Sequence, residues 1–169
     1  MNNNKIALAL IALTVASRLL PHEPNFSAIG AATLFAGLYL SKVHALIIPV
    51  VSMIIADLFL GFHPTMGWVY LSYGIIAVVS VYNHATKSNA RLITLPFISS
   101  GIFFFVSNFG VWATGTMYAK TFSGLIECFV MALPFLRGTL AGDLVYSALL
   151  IGGYHLLQNR RKQISVHAV

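Results

Sequence analysis

Apolar segments of membrane-crossing length follow one another along almost the whole chain. They run over residues 5–20, 26–40, 43–60, 66–82, 91–114 and 140–157, and the links between the first five are short. A helix needs about 20 mostly apolar residues to cross a hydrocarbon layer, and somewhat fewer when its flanks snorkel. Of the 169 residues 58% are hydrophobic and 8% charged, with a mean hydropathy of +0.83. A soluble domain carries about 25% charged residues. A chain this short has no interior large enough to hide so much apolar surface from water. The expectation is one all-α membrane domain of six transmembrane helices, embedded in the lipid bilayer.

Residues 121–135 fit this scheme differently. Phe122, Leu125, Ile126, Phe129, Val130 and Leu133 recur at helical spacing, with Ser123, Glu127 and Cys128 off that face. The spacing predicts an additional amphipathic, interfacial helix between spans five and six. The N-terminus, with Lys5, an apolar run from Ile6 to Ala16 and then Ser17, has the outline of a signal peptide. With five further spans behind it, it reads better as the first membrane helix.

Six spans put both termini on one side. The positive-inside rule chooses which side. With the termini inside, the inner loops and tails carry Lys5, Lys42, Lys87, Arg91, Arg160, Arg161 and Lys162. The outer side carries only Arg18, Lys120 and Arg137. The expected topology is N-in, C-in, in a bacterial cytoplasmic membrane. The net charge of +6 is scattered, without a basic stripe or interleaved aromatics, so no nucleic-acid partner is expected.

On this map the polar residues gather at the outer ends. The link between spans one and two, Arg18 to Phe26, holds Arg18, His22, Glu23 and Asn25 between Pro21 and Pro24. The two prolines preclude a continuous helix there. Asp57, Asn108 and Asp143 sit near the outer ends of spans three, five and six, and His63 lies in the next outer loop. Charges at membrane depth are costly and face a protein interior or a wet cavity. Several at one level imply a shared outward pocket. Candidate pocket residues are Arg18, His22, Asn25, Asp57, His63, Trp68, Tyr70, Asn108, Trp112, Arg137 and Asp143.

Each candidate has a plainer reading. Asp57 and Asp143 are candidates for structural ion pairs with Arg18 or Arg137. Trp68, Tyr70, Phe109, Trp112 and Tyr118 fit an interfacial aromatic belt as well as a stacking wall for a planar ligand. His22, Glu23 and His63 have no recognised metal-ligand spacing, so no metal or other cofactor is expected. Cys128 reads as a small hydrophobe. Ala28, Ala32 and Ala36, and likewise Ala12 and Ala16, let helices approach closely, either within the chain or against another protein.

These features together resemble the substrate-binding S components of energy-coupling factor (ECF) transporters. The residues that carry the resemblance are the segment Ala12–Ala16, the loop Arg18–Phe26, the run Ser52–Gly61, the stretch Asn108–Trp112 and the stretch Arg137–Asp143. The pattern is also similar to small uncharacterised bacterial membrane proteins with the same Arg-Leu-Leu-Pro-His and Asp-Leu-Phe-Leu-Gly-Phe-His motifs. The resemblance implies uptake of a small vitamin-like molecule from the outer face. It implies a transmembrane coupling protein and cytoplasmic ATPases as partners, with Ala12 and Ala16 at the spacing of the docking pattern. Two other functions compete: a structural or assembly subunit, and an intramembrane enzyme built on Asp57 and Asp143. Hydrolase motifs such as Gly-x-Ser-x-Gly and His-Glu-x-x-His are absent, so no catalytic residue is expected.

Overall fold

A computed structural model describes residues 2–85 and 88–167. Six helices follow in order: α1 Asn3–Leu19, α2 Ile29–Tyr39, α3 Lys42–Leu60, α4 Met66–Tyr82, α5 Asn89–Thr114 and α6 Phe122–His167. No strand occurs among the described residues. Three helices contain stretches long and apolar enough to cross a membrane: Lys42–Leu60, Ala90–Thr114 and Phe122–Arg160. Ile29–Tyr39 and Met66–Tyr82 are shorter apolar helices.

The ends follow local chemistry. Asn2, Ser41 and Ser88 cap α1, α3 and α5, each accepting a hydrogen bond from a first-turn amide. The α1 helix stops at Leu19 because Leu20 precedes Pro21 and turns extended. The α3 helix stops at Gly61, whose φ of 91° suits glycine. Pro49 and Pro96 lie inside continuous α3 and α5.

The bundle is arranged around α2. Every residue from Ile29 to Leu38 is buried, and the helix packs on all five others. At about 1.5 Å per residue this helix is only some 16 Å long, half a hydrocarbon layer. Close approach is bought with small residues. Ala28, Ala32 and Ala36 are fully buried, so this stripe packs within the chain. A methyl group at Gly37 would collide with Ser80, and one at Gly30 with the Asp143 carboxylate. Large apolar side chains such as Leu8, Val43, Ile47, Leu58, Phe59 and Phe105 point outward instead. That inside-out distribution suits a lipid solvent.

Two differences from the sequence reading concern helix limits. The second helix begins at Ile29 rather than Phe26, because residues 21–28 form an extended loop and turn. Residues 122–135 are not a separate helix but the start of the 46-residue α6, which continues through Pro134. The expected gap between residues 135 and 140 is helical and contains Gly138. The glycine makes room for the loop backbone, since a Cβ at Gly138 would meet the Pro24 carbonyl. The apolar face foreseen on this stretch is also turned outward. Phe122, Ile126, Val130 and Leu133 are exposed, while Gly124, Cys128 and Ala132 are buried.

Replacing Gly37 by Ala should lower the thermal midpoint in mild detergent, through overpacking worth about 1–3 kcal/mol. Gly74→Ala meets no atom within 4 Å and should be neutral or stabilising by up to about 1 kcal/mol. Equal midpoints for the two variants would contradict the packing described.

Candidate functional site

The first loop, after α1, builds the site. Glu23, Pro24, Asn25 and Phe26 form a β-turn in which the Phe26 amide donates to the Glu23 carbonyl at 2.9 Å. Proline second and a residue with φ of 62° third, here Asn25, are the marks of a type II turn. The loop is tied down on both sides. The Ala28 amide donates to Ser17 Oγ of α1 at 3.0 Å. The Phe26 ring packs at 5.5 Å from Tyr146 of α6. Gly142 lets the Ser27 backbone lie against α6, with a Cβ there 3.0 Å from both Ser27 N and O.

Above the N-terminus of α2 this loop leaves a cavity of about 290 Å³. Arg18, His22, Asn25, Ser27, Leu60, Tyr73 and Phe103 line it. Tyr73 and Phe103 have ring centroids 5.3 Å apart and give the cavity an aromatic wall. His22 Nδ1 is 2.6 Å from the Leu20 carbonyl, which leaves Nε2 as the ring's free polar atom.

Arg18 links the cavity to the bundle. Its Nη2 donates to Asp57 Oδ1 at 2.7 Å, and side-chain exposures are 18% for Arg18 and 2% for Asp57. Tyr70 donates its hydroxyl to Asp57 Oδ2 at 3.0 Å. Both carboxylate oxygens are therefore engaged, as a buried charge requires. Arg18 Nε is buried and has no partner, an N–H whose desolvation is uncompensated. Asp57 thus pairs with Arg18, whereas Asp143 has no arginine partner among the described residues. Asp143 is buried beside Gly30, close to the α2 N-terminus, and Ser100 donates to its Oδ2 at 2.8 Å. A carboxylate is favoured at that end of a helix.

The other candidates lie elsewhere. Asn108 donates to the Phe104 carbonyl of its own helix at 2.7 Å, and Cys128 Sγ lies 3.4 Å from the Asn108 carbonyl. Trp68 stacks edge-on against Phe109 at 5.4 Å and covers Gly110. Trp112 packs on Phe109 at 5.6 Å, donates to the Ala119 carbonyl at 2.9 Å, and has Lys120 Nζ 5.7 Å from its ring. These aromatics form their own cluster on α4, α5 and the link after α5. His63 is exposed and bonds Thr65 at 3.0 Å. Arg137 is exposed on α6 and faces a different cavity, with Glu23. Among the described residues no three His, Cys, Asp or Glu side chains converge. Ala12 and Ala16 are exposed on α1.

Sequence reasoning passed over Ser27, Tyr73 and Phe103. Tyr73 stands three residues after Tyr70, on the same helix face, and that offset was the available signal. Phe103 is indistinguishable by sequence from Phe104 and Phe105 beside it.

Asp57→Ala would leave the Arg18 guanidinium unpaired and should cost roughly 3 kcal/mol, the low end for breaking a buried pair because Arg18 keeps some exposure. The double replacement Arg18→Leu with Asp57→Leu should recover most of that in the thermal midpoint. A double variant no more stable than the single one would show that the pair is not a closed unit.

Neither a curated protein nor a solved structure matches the chain. Residues 1–165 match the family of unknown function DUF6580, and the chain belongs to that family.

Proposed function

We propose that this protein is a membrane-embedded binding and uptake protein for a small, planar, polar molecule of vitamin or vitamin-precursor type. The observation that carries this reading is the cavity above α2, where an unpartnered Arg18 Nε–H accompanies a Tyr73–Phe103 wall. Aromatic rings offer a stacking face. The Arg18 guanidinium, His22 Nε2 and the Asn25 amide supply directional polar contacts. A volume of about 290 Å³ stands at the low end of the range of about 300–1,000 Å³ for ligand clefts. It suits a one- or two-ring molecule.

In this reading the chain crosses the membrane six times, the second crossing being made by the loop after α1 together with the short α2, with both termini in the cytoplasm and the cavity opening outward. The support is the basic-residue bias. Lys5, Lys42, Arg91 and Arg160 stand at the end of the bundle opposite Arg18. Lys87 lies outside the described residues, as do the side chains of Arg161 and Lys162. That opposite end is plugged by Phe35, Tyr39, Tyr154 and His155. Tyr39 lies 4.7 Å from Tyr154 between ring centroids, and its hydroxyl is 3.0 Å from His155 Nε2. Uptake then requires that this aromatic plug part, or that the domain reorient. The exposed Ala12–Ala16 face of α1 offers the place for a coupling protein, and ATP hydrolysis would come from partner ATPases. The same exposed face favours an assembly subunit as the second reading. An aspartate-dyad enzyme is the weakest reading, because Asp57 and Asp143 have separate partners.

Protein purified in mild detergent should carry a small molecule detectable by mass spectrometry and exchangeable in an equilibrium binding assay. Phe103→Ala should weaken binding up to about tenfold, the worth of one aromatic contact. Asn25→Gly, which preserves the turn, should also weaken it, whereas Asn108→Ala and Trp112→Ala should not. No saturable binding across a panel of vitamins and precursors, or loss only in the Asn108 variant, would overturn the reading.

A further inference from the structure

The first loop has two faces. His22, Asn25 and Ser27 line the cavity above α2, whereas Glu23, Pro24 and Phe26 line a second cavity on the other side of the same backbone. The second cavity is the larger, about 630 Å³, and its far wall is Pro134, Phe135, Arg137, Gly138 and Ala141 of α6. Its lining is apolar except for one acid, Glu23, and one base, Arg137.

These two charges are unsatisfied by the protein. Neither side chain makes a hydrogen bond or ion pair among the described residues, with the other or with any third group. Both are exposed. An acid and a base that share a cavity without meeting leave room between them for a ligand of the opposite arrangement, one anion and one cation. The surroundings restrict that ligand further. The cavity stands at the end of the bundle where the loop after α1 meets α6. The neighbouring α6 surface is Val130, Met131, Leu133 and Phe135, all outward-facing. A water-soluble zwitterion would gain nothing from these apolar walls.

We propose that this lateral cavity binds a phospholipid with a phosphate and a primary ammonium in its headgroup, of the phosphatidylethanolamine kind. Arg137 takes the phosphate, since guanidinium and phosphate form the strong, bidentate class of charge-assisted hydrogen bond. Glu23 takes the ammonium, whose three N–H donors match a carboxylate. A quaternary ammonium has no N–H to offer, so Glu23 discriminates headgroups. Phe26, Pro134, Phe135 and Ala141 receive the acyl and glycerol portion. The proposal rests on the chain residing in a bilayer and is independent of whether the cavity above α2 binds cargo.

The test is native mass spectrometry of the full chain released from nanodiscs with equal amounts of phosphatidylethanolamine, phosphatidylcholine and phosphatidylglycerol. The wild-type chain should retain phosphatidylethanolamine several-fold over the other two. Glu23→Gln should erase the preference over phosphatidylcholine. Arg137→Gln should reduce retention of all three. Both positions are exposed, and unchanged thermal midpoints would show that folding is intact. Equal retention of the three lipids by the wild-type chain, or an unaltered preference in both variants, overturns the proposal. Soluble phosphoethanolamine should fail to displace the lipid at equal concentration. Displacement by it would overturn the lipid assignment in favour of a free zwitterion.

Discussion

A helix of eleven residues cannot cross a bilayer, and α2 is such a helix at the centre of this bundle. Its length is the constraint from which the rest follows. Buried on all sides, it must be flanked by longer helices, and its start lies at the depth of Ser100 and Asp143 rather than at the bundle's end. The chain entering it from α1 therefore descends as irregular backbone. Such backbone is tolerated at membrane depth only where protein or a wet cavity satisfies it. Here Ser17 and the β-turn at Glu23–Phe26 do so, while Gly138 and Gly142 of α6 leave room for the loop backbone. The space left above α2 is the first cavity, and the space behind the loop is the lateral one.

The two buried carboxylates divide the remaining work. Asp57 holds Arg18 and Tyr70 together and so ties α1, α3 and α4 at one end. Asp143 is seated by Ser100 and by the absent side chain of Gly30, which joins α6, α5 and α2. One sets the orientation of the arginine that faces the cavity. The other fixes the depth at which the short helix begins. Their separation leaves Arg18 as the charged group shared between bundle and cavity.

Much of the fold was readable from the chain because its signals are local. Apolar run length and the prolines at 21 and 24 located the first five helices to within about three residues, whereas the sixth begins at Phe122 and not at residue 140. The loop residues Arg18, His22 and Asn25 stood out because polar side chains are conspicuous in so apolar a chain. What was not readable depends on partners remote in sequence. Asn108 stood among the candidate pocket residues, yet an amide in a membrane helix can bond a carbonyl four residues back in its own helix, and Asn108 does. Tyr73 and Phe103 looked like ordinary membrane-helix residues until α4 and α5 brought them together. Residues 121–135 looked like a separate interfacial helix because Ser123, Glu127 and Cys128 lie off a short apolar stripe. In lipid the small residues face the partner helix and the large ones the solvent.

The central claim is that polarity is gathered on one side of the membrane, with the cavity open to the exterior. The direct measurement is labelling of single cysteines by a membrane-impermeant maleimide, in a Cys128→Ser background, in intact cells and in inside-out vesicles. Asn25→Cys should react from the outside alone, and Gln158→Cys from the cytoplasmic side alone. Reaction of Asn25→Cys only in inside-out vesicles, or reaction of both positions from the same side, would contradict the account.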